Sequence, residues 1–255
     1  MSAGAMPDRT GAVPALSGRR TVSGGPDEVA RSAAERIALL SERAVRDHGW
    51  FAIALAGGDT PRLTYERLAS EPLRSRIEWR SWRVFFSDER AVPEGDAASN
   101  ARMAREALLD HVPVPRQSVH PMPGERTDLD AAAADYARLL ESSLRRGGDG
   151  APRCDCVLLG VGENGHTASL FPGTPALEVT DTWVTRGRAD YAPFDRLTFT
   201  FPMINAAEYV LMLVSGAAKA EAIRAIAEGR APAARVRPVE GSLLWYLDQP
   251  AARLL

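Results

Sequence analysis

The chain has 255 residues, 45% of them hydrophobic and 25% charged, and a formal net charge of −2 at pH 7. That length supports one large domain or two small ones with a sizeable core. The near-neutral balance, with no block of Lys or Arg, argues against nucleic acid as a partner, although a small anionic ligand needs only two or three local positive charges.

No apolar run approaches the ~20 residues of a membrane span, so no membrane association is expected. Cys154 and Cys156 are the only cysteines. They read as small packing residues rather than a disulfide framework or the start of a metal site. Residues 1–18, MSAGAMPDRTGAVPALSG, lack the basic start and apolar block of a secretory signal. Their small, Pro/Gly-rich composition predicts a mobile tail, a single domain over 19–255 and a cytoplasmic protein.

From Pro26 the chain settles into alternating segments. Val29, Ala33, Ile37, Leu40 and Val45 recur near helical spacing, Asp27 and Glu28 open the stretch and Gly49 stops it. An amphipathic helix is therefore expected over 26–49. WFAIALAGG (50–58) reads as an apolar strand ending in paired glycines. TPRLTYERLA (60–69) reads as a helix with Thr60 as N-cap and Pro61 at the first helical position. SWRVFFSDER (81–90) is a strand ending in charge, and AASNARMAREALLDHV (97–112) and DLDAAAADYARLLESSLRR (128–146) are helices. GGDGAPR (147–153) is a loop before a third apolar strand, CDCVLLGVG (154–162). DRLTFTFPMI (195–204) and EYVLMLVSG (208–216) are two more strands, AAKAEAIRAIAEG (217–229) is a helix, and GSLLWYLDQPAARLL (241–255) is a strand with a short terminal helix. This alternation predicts an α/β fold, a mainly parallel, Rossmann-like sheet with helices on both faces in a single domain.

Ligands in such sheets bind beyond the carboxyl ends of the strands. AGGDTP, SDER, GVGENGHTAS and SGAAK stand at four of those ends, bringing Gly, Ser, Asp, Glu, Lys, Arg and His to strands that are otherwise nearly all apolar. Gly57 and Gly58 suit either an anion cradle at a helix N-terminus or a tight turn needing glycine for its own geometry. Arg90 and Lys219 suit either phosphate contacts or solvated charges. His166, held in a glycine turn, suits a general base that titrates near neutral pH, or a histidine bonded to a loop carbonyl. His48, His111 and His120 read as structural. No metal constellation, G-x-S-x-G elbow or P-loop is present, which leaves acid/base chemistry without a metal or cofactor on a small phosphorylated molecule.

GVGENGHTASLFPG closely resembles the Gly-x-Gly-x-Asp-Gly-His-x-Ala-Ser-Leu-Phe-Pro signature of 6-phosphogluconolactonases. AGGDTP, FSDERAVP with SNARMAREALL, DRLTFTFPMINAAEYVLMLVSG, AAK and LLWYLD agree with that family in order and kind. The resemblance runs from about Pro26 to the C-terminus. It implies hydrolysis of 6-phospho-D-glucono-1,5-lactone to 6-phosphogluconate in the oxidative pentose phosphate pathway, without metal, with His166 as the base that activates water. It also implies Arg90, Arg196 and Lys219 as cationic contacts to the substrate phosphate and Gly57 and Gly58 as backbone contacts. Thr60, Asp88, Asn164 and Gly165, standing in the matched motifs, complete the expected substrate-binding set. Asn164 stands where the family usually has Asp, and Asp59 where Ser is common. An amide oxygen can accept a hydrogen bond but cannot stabilise an imidazolium by charge.

Two other readings remain at this level. Glucosamine-6-phosphate deaminases carry a similar turn, but their signature continues to an Asn-Glu-Pro segment, whereas here TASLFPG follows His166 and the next carboxylate is Glu178. A non-catalytic sugar-phosphate-binding module would keep the loops without turnover. The expected partner is a small phosphorylated sugar lactone, and monomer and homodimer are both open.

Overall fold

The computed structural model describes residues 15–148 and 150–255. Most of the predicted tail, residues 1–14, lies outside the described residues. Leu16 is buried and the Ser17 carbonyl accepts from Trp245 Nε1 at 2.8 Å, so the chain meets the sheet before Gly18.

Six parallel strands form the central sheet: β1 (Arg19–Ser23), β2 (Phe51–Leu55), β3 (Trp82–Phe86), β5 (Cys156–Leu159), β8 (Tyr209–Val214) and β9 (Ser242–Asp248). Their order is β1-β9-β8-β5-β2-β3. Every residue of β2 and β5 is buried, so both faces of the sheet centre are covered. A buried parallel strand reads as a continuous apolar run for that reason.

Helix α1 (Pro26–His48) fills the predicted span. Val29, Ala33, Ala34, Ile37 and Ala38 are fully buried along one stripe. Glu28 reaches back to accept from the Gly24 N–H at 2.8 Å, and Gly49, at φ 89°, donates to the Val45 carbonyl and ends the helix. α1 packs against α2 (Asp59–Leu68) and across β8 and β9. Trp82 anchors β3 to it through an Nε1 bond to Ser41 Oγ at 2.8 Å.

Elsewhere the structure differs from the expected elements. SWRVFFSDER is not one strand: after Ser87 the chain leaves the parallel sheet and forms β4 (Asp88–Arg90). β4 joins β6 (Val184–Arg188) and β7 (Asp195–Phe199) in an antiparallel sheet ordered β4-β7-β6. Ser87 stitches the two sheets, donating its N–H to Leu55 O and accepting from Phe199 N–H, both at 2.8 Å. DRLTFTFPMI therefore supplies an antiparallel strand rather than one of the main sheet. It then turns into helix α5 (Phe201–Asn205), whose first turn holds Pro202 with its preset φ.

The helix expected over 97–112 is a short α3 (Asn100–Ala104) followed by a π-helical turn over Arg105–Leu109. α4 (Leu129–Ser143) starts on an Asp128 side-chain cap. The closing helix α6 (Ala220–Ala227) begins after a 3₁₀ turn at Ala217–Lys219, and α7 (Gln249–Ala252) ends the chain. Cys154 and Cys156 are both buried. Among the described residues no helix is long and apolar enough to cross a membrane.

Candidate active site

From β2 the chain winds outward to β3, whereas from β5 it winds the other way, to β8 and β9. Where the winding reverses, the loops leaving adjacent strands part and open a crevice. A cleft of about 300 Å³ lies there. Its lining includes Gly57, Gly58 and Thr60 after β2, Asp88 and Arg90 of β4, His166 after β5, Arg196 of β7 and Lys219 after β8.

Each glycine after β2 has its own cause. A Cβ on Gly57 would collide with the Asn100 amide, which crosses beneath it to donate to Asp88 O at 2.9 Å and Asp88 Oδ1 at 3.3 Å. Gly58 sits at φ 103°, in the left-handed region that disfavours side chains. It begins α2 without any side-chain cap, so the first N–H groups of that helix remain for a ligand. Asp59 borders the cleft with its side chain 96% exposed, 4.0 Å from the Arg62 guanidinium.

β4 carries alternating duties. Glu89 is buried and accepts from the N–H groups of Arg90 (2.7 Å), Asn100 (2.8 Å) and Ala101 (2.8 Å) and from Ser99 Oγ (3.1 Å). It thereby locks α3 to β4 and fixes Asn100 relative to Arg90. Asp88 accepts from Ser169 Oγ at 2.7 Å. Burial pushes the Asp88 carboxyl above its usual range, against the pull of Arg90, the Ser169 hydrogen bond and Arg196.

His166 crowns the turn after β5. Gly162 N–H donates to His166 O and Gly165 N–H to Gly162 O, both at 2.9 Å. A Cβ on Gly162 would sit against the imidazole ring, so the ring rests on bare backbone. Its face stacks on Phe171, with centroids 3.9 Å apart and 25° between planes. Nδ1 lies 2.6 Å from Asn164 Oδ1, an oxygen that also accepts the His166 backbone N–H at 3.2 Å. An amide oxygen only accepts, so Nδ1 carries the proton and Nε2 holds the lone pair. Burial first, then the charge of Lys219, pushes the imidazole down to about 4, with Arg196 adding to the shift and Asp190 opposing it.

The rest of the rim is cationic. Arg196 is only 1% exposed and donates to the Pro193 carbonyl, with its guanidinium 5.5 Å from the Tyr191 ring. Burial and then the neighbouring charge of Arg90 lower its pKa, with Asp88 working against them. Lys219, the only lysine in the chain, forms no ion pair among the described residues. Its turn is held by Asp248, which accepts from Gly216 N–H at 2.9 Å. The hydroxyl of Ser215, beside it in the cleft wall, has no hydrogen-bond partner. Three cations against the buried Asp88 and the exposed Asp59 leave a local excess of positive charge in a chain that is negative overall.

Asn164 and Gly165 do not line the cleft. Asn164 stands behind the imidazole, and Gly165, at φ 77°, leaves no room for a Cβ, which would strike the Ala231 methyl, and accepts from Ala233 N–H at 3.1 Å. Sequence reasoning did not pick out Asn100, Ser169, Phe171, Tyr191 or Ser215. All five line the cleft, and all but Tyr191 stand within or beside the quoted motifs. His48, His111 and His120 lie outside the lining, bonded to Asp155, bonded to Glu106 O and stacked on Phe85 respectively.

The family model described as glucosamine-6-phosphate isomerases/6-phosphogluconolactonase matches residues 24–245. A 6-phosphogluconolactonase of Synechocystis sp. is 43% identical over 218 residues, which is 84% of this chain and 88% of that protein. One from Nostoc sp. is 38% identical over 239 residues, 91% of this chain and 97% of that one. The solved 6-phosphogluconolactonase of Trypanosoma brucei superposes with a TM-score of 0.84 at 32% identity, covering 94% of this chain and 100% of its own. The chain belongs to the family of glucosamine-6-phosphate isomerases and 6-phosphogluconolactonases.

Proposed function

We propose that the protein hydrolyses 6-phospho-D-glucono-1,5-lactone to 6-phosphogluconate, with His166 as general base. The observation that carries this reading is the orientation of one ring: Nδ1 is engaged by Asn164, and Nε2 has no partner among the described residues of a cation-rimmed cleft. The relatives named 6-phosphogluconolactonase support the choice of substrate.

Arg90, Arg196 and Lys219 hold the substrate phosphate, with Ser215 Oγ and the first N–H groups of α2 as neutral donors. The anchored lactone presents C1 to His166. Nε2 takes a proton from water as its oxygen bonds to C1, and the carbonyl electrons move onto oxygen. Collapse of that tetrahedral intermediate breaks the bond from C1 to the ring oxygen, which takes the proton back from Nε2. A base positioned in this way contributes about 10²–10⁴-fold, and it must be neutral to begin, which its lowered pKa secures.

A deaminase of the same family would use a carboxylate following the histidine in sequence. Here that residue, Glu178, has a side chain 79% exposed and 3.0 Å from Arg235, outside the cleft lining. A pH-stat assay with freshly prepared lactone, run beside ammonium release from glucosamine-6-phosphate, separates the two. Acid production above the spontaneous rate, with no ammonium, is expected. Ammonium release without lactonase activity would replace this reading with the deaminase, and binding without either would leave a silent module.

A further inference from the structure

We propose that Asp190 is a positioning residue for His166, acting through Asn164. The carboxylate accepts from Asn164 Nδ2 at 3.3 Å, and the same amide turns Oδ1 to His166 Nδ1 at 2.6 Å. The three side chains form one line, from carboxylate to amide to imidazole, that ends at the cleft. The inference rests on His166 being the base.

The physical reason is the symmetry of an amide. Its oxygen and nitrogen ends are nearly the same size, so neighbouring hydrogen bonds alone decide which end faces the ring. With oxygen toward Nδ1, the neutral imidazole keeps its proton there and bares Nε2. With NH₂ toward Nδ1, the proton must sit on Nε2, and the ring cannot accept one from water. The His166 backbone N–H already favours the productive orientation by donating to Oδ1 at 3.2 Å. Asp190 adds the second constraint, because a carboxylate can accept from Nδ2 and would repel Oδ1.

Charge adds to geometry. The ionised groups that bear on His166 are Lys219 before α6, Arg196 in β7 and Asp190 in the loop between β6 and β7. Lys219 and Arg196 oppose an imidazolium, and Asp190 alone of the three favours one. When Nε2 takes its proton from water, Nδ1–H donates more strongly to the amide, and the amide N–H in turn to the carboxylate. Asp190 thus supplies at one remove the negative charge that Asn164 lacks.

The test is a mutant cycle read by kinetics and by the imidazole itself. D190A is expected to lower kcat about tenfold, the low end for a hydrogen bond to a charged group at an exposed site, with KM nearly unchanged. D190N, which still accepts but carries no charge, falls between. In N164D a carboxylate contacts Nδ1 directly, so there the D190A loss shrinks below about threefold, as coupled neighbours require. ¹⁵N shifts of neutral His166, assigned with H166Q, report the Nδ1–H tautomer in the parent and a shift toward Nε2–H in D190A. An equal D190A loss in both backgrounds, or an unmoved tautomer with unchanged kcat, overturns the proposal. If H166Q retains parental lactonase activity, the base assignment fails instead, and the tautomer measurement still judges the hydrogen-bonded line. The tautomer readout in D190A also stands if N164D does not fold.

Discussion

The imidazole of His166 and the ring of Phe171 lie face to face, with centroids 3.9 Å apart, while the bare backbone of Gly162 underlies the same imidazole. Between them the two supports remove water from the ring and leave Nε2 as its outlet to the cleft. That desolvation is the largest cause of the drop in its pKa to about 4.

The sign of the consequence follows from proton counting. An unfolded histidine titrates near ~6.5, so between about 6.5 and 4 the unfolded chain binds the extra proton and the folded one does not. His166 therefore draws stability down as pH falls through that window and leaves it unaffected above it. An NMR titration of the free protein is expected to give a midpoint near 4. Inorganic phosphate in the cleft should raise it, because an adjacent anion favours the imidazolium. A midpoint at 6.5 or above would show a solvated ring.

Asp88 sets function against stability. Burial pushes its carboxyl up, so ionising it costs more in the folded chain than in the unfolded one. D88N keeps the shape and removes the charge. Its Tm at pH 7 is expected to equal or exceed the parent's, while KM rises because the carboxylate charge that acts on Arg90 and Arg196 is lost. A clear fall in Tm would mean that the carboxylate stabilises the fold as an ion.

Lys219 offers a selective chemical test because no other lysine exists in the chain. Acetylation removes its charge and reductive methylation retains it. The acetylated protein should show KM raised by about tenfold or more, as for the loss of a charged hydrogen bond, with methylated protein close to the parent and phosphate protecting against acetylation. K219A and R196A are expected to act in the same direction. An unchanged KM after complete acetylation removes Lys219 from the phosphate site.

Much of this was legible in the sequence because backbone constraints are local. Gly49 ends α1, Gly57 and Gly58 leave β2, and Gly160 to Gly165 lift His166 above β5, each within a few residues of the strand or helix it punctuates. The antiparallel sheet was not legible. The alternation in DRLTFTF marks a strand without marking its direction, and RRTVS of β1 pairs on one side only and carries little apolar signal. Contacts between distant segments were also out of reach: Asn100 meets Gly57, and Asp190 meets Asn164, because separate strands bring their loops to one rim.

The most direct measurement is the rate of acid release from fresh 6-phosphogluconolactone by the parent protein and by H166A, corrected for spontaneous hydrolysis. The parent is expected to accelerate release, and H166A to lose about 10²–10⁴-fold of kcat while its Tm stays close to the parent's. Parental turnover by a folded H166A would contradict the role of His166 as the base.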